Sequence, residues 1–193
     1  TPPVEITTSL GSETKAVPIT TALTVSADGG DLKTVKVRSG DVVLPGKVAA
    51  DKTTWTSTGR LEPGLSYTIT SVALDADGEP SRSRSTFRTQ ELTLDQQTYP
   101  SVAPLAGETV GVGMPITVSF DHEVKNKEDV ERALVVHTPE PLVGAWSWNG
   151  SSEVQFRPKK YWPGNIDVTV DLNLKGVQAE RGVFGESNKS TTF

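Results

Sequence analysis

Leu61-Glu62-Pro63-Gly64-Leu65-Ser66-Tyr67-Thr68-Ile69-Thr70, just beyond Trp55, joins a Pro-Gly turn to an alternating run of β-branched residues. A second version follows Trp146 and Trp148. There Phe156-Arg157-Pro158 leads to Tyr161-Trp162-Pro163-Gly164-Asn165-Ile166-Asp167-Val168-Thr169-Val170. Tryptophan on one strand, a Pro-Gly turn and a half-buried second strand describe a β-sandwich hairpin, written twice. Two similar modules are the first expectation.

Composition agrees with an all-β chain. The 193 residues suffice for one large domain or two small ones. Hydrophobic residues make up 35%, too few for long buried helices but enough for strands that bury every second residue. The 17 glycines and 13 prolines mark frequent turns between segments rich in Thr, Ser and Val. The net charge of −5 disfavours nucleic acid and anionic membrane surfaces as partners. No apolar run is long enough to span a bilayer. The chain starts at Thr1 and its single methionine is Met114, which reads as a processed or excised chain. With no cysteine, disulfides, thiolate zinc sites and a cysteine nucleophile are excluded within these residues.

Val4–Thr8 reads as a first strand, and Ile19, Thr21, Leu23 and Val25 as one face of a second. Turns are expected at Asp28–Asp31 and Ser39-Gly40-Asp41, with an edge or bulged strand where Pro45-Gly46 interrupts Val42–Val48. Tyr67–Leu74 and Ser81–Thr89 close the module around the turn at Asp75–Glu79. This spacing matches an immunoglobulin-like sandwich. The polar stretch Thr89–Pro100 places the boundary, giving domains 1–90 and 91–193. In the second half, strands are expected at Val102–Leu105, Ile116–Phe120, Leu134–His137, Gly144–Trp148, Val154–Phe156 and Ile166–Leu172. One short helix, Lys127–Leu134, is capped by Asn126 and carries Val130, Ala133 and Leu134 on one side. Val183-Phe184 and Thr192-Phe193 are candidates for edge pairing. The fold class is therefore all-β: two tandem immunoglobulin-like β-sandwiches, with one short helix in the second.

No constellation carries reaction chemistry. Asp121-His122-Glu123 follows a strand whose neighbours point to opposite faces, so the three side chains read as a solvated turn. Asp75, Asp77 and Glu79 lack the later ligands of a calcium loop and fit a hairpin tip. No catalytic, cofactor-binding or metal residue is assigned. Two groups remain as candidate contacts. Trp146, Trp148, Tyr161 and Trp162 either form a row that stacks on glycan or a partner, or fill the core as Trp55 is expected to. Arg82, Arg84 and Arg88 either grip an anionic polymer or form a solvated strand face that discourages edge pairing.

The run Tyr99-Pro-Ser-Val-Ala-Pro-Leu-Ala-Gly-Glu-Thr-Val-Gly-Val-Gly-Met-Pro-Ile-Thr-Val-Ser-Phe-Asp121 is more specific. With Val130–Leu134, Gly144–Trp148 and Val154–Trp162 it resembles the immunoglobulin-like domain that precedes the catalytic domain in mycobacterial-type L,D-transpeptidases. The resemblance covers residues 99–185. The first half resembles the more variable additional domain of larger members. In that family a separate domain cross-links peptidoglycan through a cysteine in a Ser-His-Gly-Cys-type motif, which is absent here. The resemblance therefore implies context and no catalytic residue. That context is an extracytoplasmic, cell-wall-facing location in a lipoprotein or membrane-anchored parent. The expected role is a monomeric, non-catalytic spacer and scaffold that places and buttresses its own C-terminal catalytic domain, without cofactors. The rival is a module that binds peptidoglycan glycan or an anionic wall polymer.

Overall fold

The computed structural model describes residues 3–11 and 14–193. Contacts divide the chain between Leu92 and Thr93 into two units.

Among the described residues the first unit contains β1 (Glu5–Thr8), β2 (Thr24–Asp28), β3 (Asp31–Ser39), β4 (Val42–Leu44), β5 (Gly46–Val48), β6 (Thr54–Ser57), β7 (Ser66–Leu74) and β8 (Pro80–Arg88). They form two antiparallel sheets, ordered β1-β2-β6-β5 and β4-β3-β7-β8. Period-two alternation selects the inward residues. In β7, Tyr67, Ile69, Ser71 and Ala73 are buried, whereas Ser66 and Thr70 are exposed. With Leu23, Val25, Val37, Leu44, Leu61 and Phe87 they build the core. Trp55 lies there too, at 4% exposure. Pro45 ends β4, and the chain then changes sheets, so β4 and β5 are edge strands of different sheets. Proline is tolerated there because no ladder hydrogen bond is lost. The strand expected from Ile19 starts only at Thr24. Thr21 N–H donates to Pro18 O at 3.0 Å, and this turn uses the run that alternation alone assigned to a strand.

The Pro-Gly stretch is not a hairpin. β6 and β7 belong to different sheets, so Leu61–Leu65 is a corner between layers. Gly64, at φ +69°, supplies the left-handed residue the turn requires. The Tyr67 hydroxyl accepts the Glu62 N–H at 3.0 Å, five residues upstream, as in the tyrosine corner of immunoglobulin-like domains. Buried Thr89 joins the same corner. Its hydroxyl donates to Glu62 O at 2.6 Å and accepts the Leu65 N–H at 3.0 Å. Tyr67→Phe, which removes only the hydroxyl, is expected to destabilise the first unit by about 1–3 kcal/mol. A denaturation midpoint equal to that of the parent would show the corner to be incidental.

The second unit contains a 3-10 turn (Leu94–Gln96), β9 (Gln97–Thr98), β10 (Ser101–Ala103), β11 (Ile116–Ser119), α1 (Lys127–Ala133), β12 (Leu134–His137), β13 (Gly144–Asn149), β14 (Glu153–Pro158), β15 (Thr169–Asn173), β16 (Gln178–Glu180), β17 (Val183–Gly185) and β18 (Asn188–Thr192). The main sheets are β10-β11-β14-β13 and β12-β15-β18, and β16-β17-β9 form a small third sheet in which β17 and β9 are parallel. Sheet order in the first repeats β1-β2-β6-β5 strand for strand. β12, β15 and β18 likewise take the places of β3, β7 and β8, while α1 occupies the connection between β11 and β12. The chain is thus all-β, with two immunoglobulin-like sandwiches and one short helix in the second.

Two expectations about this unit change. Asn126 precedes α1, but its side chain makes no cap and donates to Gln178 O at 3.2 Å. The strand expected from Ile166 begins at Thr169, because Asn165 (φ +57°) prolongs the turn. Here too the Pro-Gly stretch crosses between sheets.

Candidate functional site

Of the four aromatic candidates, only Tyr161 is well exposed, at 75%. Trp162, its neighbour, is 5% exposed and donates its Nε1–H to Met114 O at 2.6 Å. Trp146 and Trp148 share one face of β13 and pack, half-buried, against the core. Trp146 meets Phe156 edge-on at 5.3 Å, Phe156 stacks on Trp162 at 6.0 Å, and Trp162 meets Phe193 edge-on at 6.3 Å. This inward chain of rings is bound by packing and quadrupole geometry. Trp148 is held from the helix side. Its Nε1–H donates to Glu131 Oε1 at 2.6 Å, and Lys127 Nζ lies 5.1 Å from its ring centroid. The structure therefore assembles three tryptophans as packing and leaves Tyr161 outward. Tyr161 lines an open depression of about 500 Å³ with Val112, Gly113, Pro158 and the cations Arg157, Lys159 and Lys160. The alternation of Trp146 and Trp148 could not indicate which face of β13 meets the core.

Arg82, Arg84 and Arg88 lie together on the exposed face of β8, the last strand of its sheet. Lys36 and Arg38 of β3 share that face, a feature the sequence reading missed. Their alternation with Val35 and Val37 gave their parity, but only strand pairing places them near β8.

The acidic groups have structural partners. The Asp121 carboxylate accepts the Thr98 hydroxyl at 2.5 Å and the Tyr99 N–H at 2.9 Å. Burial pushes this carboxyl up, but these two donors, aided by nearby His122, outweigh it and hold it below the usual range. A lowered folded-state pKa adds stability above the unfolded value and loses it as pH falls through the folded one. Asp121→Asn is therefore expected to flatten the fall in stability below about pH 4. Denaturation midpoints at neutral and acid pH measure this, and equal acid slopes for both proteins would contradict it.

On the outer face of β15, Asp171 accepts the Ser190 hydroxyl at 2.6 Å and meets His137 Nε2 at 2.8 Å. Ser190 above all, and His137 after the opposing effect of burial, hold its carboxyl low. The carboxylate stands between serine and imidazole, so the serine has no base to activate it. Asp75 Oδ1 accepts the backbone N–H groups of Asp77 and Glu79 and closes the β7–β8 turn. Among the described residues, no group of three or more His, Cys, Asp or Glu side chains is arranged to hold a metal ion. No helix among them is long and apolar enough to cross a membrane.

The profile of the family described as bacterial Ig domain matches residues 14–178. L,D-transpeptidase 2 of Mycobacterium tuberculosis (strain CDC 1551 / Oshkosh) is 32% identical over 190 residues, covering 98% of this chain and 46% of the relative. L,D-transpeptidase 5 of Mycobacterium tuberculosis (strain ATCC 25618 / H37Rv) is 30% identical over 187 residues, covering 94% of this chain and 41% of the relative. A crystal structure of Mycobacterium tuberculosis L,D-transpeptidase 1 aligns with 36% identity over 36% of this chain and 32% of its own, at a TM-score of 0.32. The chain thus spans less than half the length of the curated relatives it matches along its whole extent.

Proposed function

The chain belongs to the bacterial Ig domain family, and from that premise we propose that it is the non-catalytic spacer and scaffold of a peptidoglycan-cross-linking L,D-transpeptidase. The observation that carries this reading is the extent of the similarity. It runs along 98% of this chain but reaches only 46% of L,D-transpeptidase 2. The remaining length of such a relative leaves room for a catalytic domain. Within this chain there is no cysteine to act as a thiolate, and the hydroxyl beside His137 and Asp171 is not activated. In this reading residues 1–90 and 91–193 are separate modules, and the protein works as a monomer on the wall side of the plasma membrane.

Scaffolding needs stiff modules, and both sandwiches have closed cores with cross-sheet corners. It also needs a surface for the catalytic domain. The depression at Tyr161 suits this role, with exposed Val112 and Met114 beside it and Trp162 linking it to Phe193. The test uses the full-length parent. Tyr161→Asp is expected to lower the melting temperature of the catalytic domain while far-UV circular dichroism is preserved. An unchanged melting temperature would count against buttressing. Cross-linking of stem peptides by residues 1–193 alone would refute the non-catalytic reading.

A further inference from the structure

The outer face of β4-β3-β7-β8 in the first unit is cationic, although the chain carries a net charge of −5. Register places Thr34, Val72 and Arg82 in one row across the sheet, Lys36, Thr70 and Arg84 in the next, and Arg38, Thr68 and Thr86 in a third. Arg88 lies beyond, opposite Ser66. All five cations are exposed, and they alternate with the buried Val37, Tyr67, Ile69 and Phe87. Strand geometry sets Arg82 and Arg84 about 6.7 Å apart, and Lys36 about 10 Å from Arg84 across β7. Among the described residues, carboxylates occur only at the margins. Asp31, 4.0 Å from Lys52, lies at one end and Glu91, 2.7 Å from Arg88, at the other. The β7–β8 tip, with Asp75, Asp77 and Glu79, lies past Arg82. Among the described residues the side chains of Lys36, Arg38, Arg82 and Arg84 have no hydrogen-bonded or ionic partner.

Protection of a sheet edge explains charges on β8. It does not explain Arg38, because at Val37–Ser39 β3 lies inside the sheet, between β4 and β7, with Lys36 just past the β4 pairing. We infer that this face docks a linear acidic polysaccharide, whose carboxylates meet Lys36, Arg38, Arg82 and Arg84. The guanidinium forks match carboxylate geometry. The hydroxyls of Thr34, Thr68, Thr70 and Thr86 between the cations both donate and accept, as sugar hydroxyls require. The face presents no aromatic ring on which nucleic acid bases would stack, since Tyr67 and Phe87 point inward. It presents no large apolar anchor for a lipid surface, as Val72 is half-buried and exposed Val43 sits at its corner. Distant acidic residues are screened over about 8 Å at physiological salt, so contact charges decide. This inference stands apart from the spacer reading, which requires no ligand.

The experiment measures retention of residues 1–193 on immobilised polygalacturonate at low and physiological salt. The native chain should be retained, and more weakly as salt rises. K36E/R84E should bind at least about tenfold more weakly, because two charge-assisted contacts become repulsive. K47E/R181E makes the same charge change elsewhere and should bind as the native chain does. Far-UV circular dichroism should be the same for all three proteins. The inference is overturned if the native chain is not retained or if the two variants behave alike. It is also overturned if an oligo-dT strand or anionic vesicles bind this face more tightly than the polysaccharide.

Discussion

Trp162→Ala is expected to destabilise the second sandwich by about 3–5 kcal/mol, as for other buried aromatic side chains. The ring is 5% exposed and bridges Phe156 and Phe193, at 6.0 and 6.3 Å. Its loss opens a cavity between the sheets and also leaves Met114 O without the indole donor. Trp162→Phe separates the two contributions. It keeps most of the packing, removes the hydrogen bond, and should cost about 1–2 kcal/mol. Differential scanning calorimetry of both variants provides the measurement. Separate modules would lose stability only in the transition of the second unit. A Trp162→Ala protein within about 0.5 kcal/mol of the native one would mean that this ring is not core. A glycan-stacking tryptophan, by contrast, would change binding and leave the melting temperature alone.

Gly46→Ala and Gly144→Ala are expected to destabilise their respective units by about 1–3 kcal/mol, through overpacking. A Cβ on Gly46 would lie 2.1 Å from the Trp55 ring and 2.7 Å from Thr56 O. A Cβ on Gly144 would lie 2.3 Å from the Phe156 ring and 2.8 Å from Arg157 O. In both units the glycine lies on an edge strand, β5 or β13, and the ring lies on its neighbour, two residues before the glycine's partner. Gly46→Ala combined with Trp55→Leu should be less damaging than the sum of the single changes, since the smaller side chain frees the site of the clash. Strict additivity in urea denaturation, or a neutral Gly46→Ala, would show that the ring does not press on the edge strand.

This glycine-aromatic pair also shows how far the repeat could be read. Two modules were legible because tryptophan, Pro-Gly and an alternating strand recur. Their internal alignment was not. By motif, Trp55 matched Trp146 and Trp148, whereas by pairing it matches Phe156, and Trp146 occupies the place of Val48. A strand carries its periodicity openly but not the identity of its neighbours, so an aromatic residue one strand away looks equivalent. The same limit made the Pro-Gly corner resemble a hairpin, since both need a turn and differ only in the sheet that the second strand joins. Short β9 and β16 were missed because two or three residues cannot display a period, and the pairing of β9 with β17 is parallel and distant.

For the candidate contacts, parity was readable in the arginine row, which alternates with Ser83, Ser85 and buried Phe87. Its extension through Lys36 and Arg38 was not, because those residues lie more than forty positions earlier and approach β8 only through the shared partner β7. Local periodicity and turn chemistry, which depend on near neighbours, determined from sequence that this chain is a pair of strand-built modules with one short helix. Tertiary pairing alone decided which tryptophans became core, which cations became a single surface, and where an edge strand had to be glycine. Each of those outcomes is set by residues brought within a few ångströms of one another across strands, a distance that order along the chain does not encode.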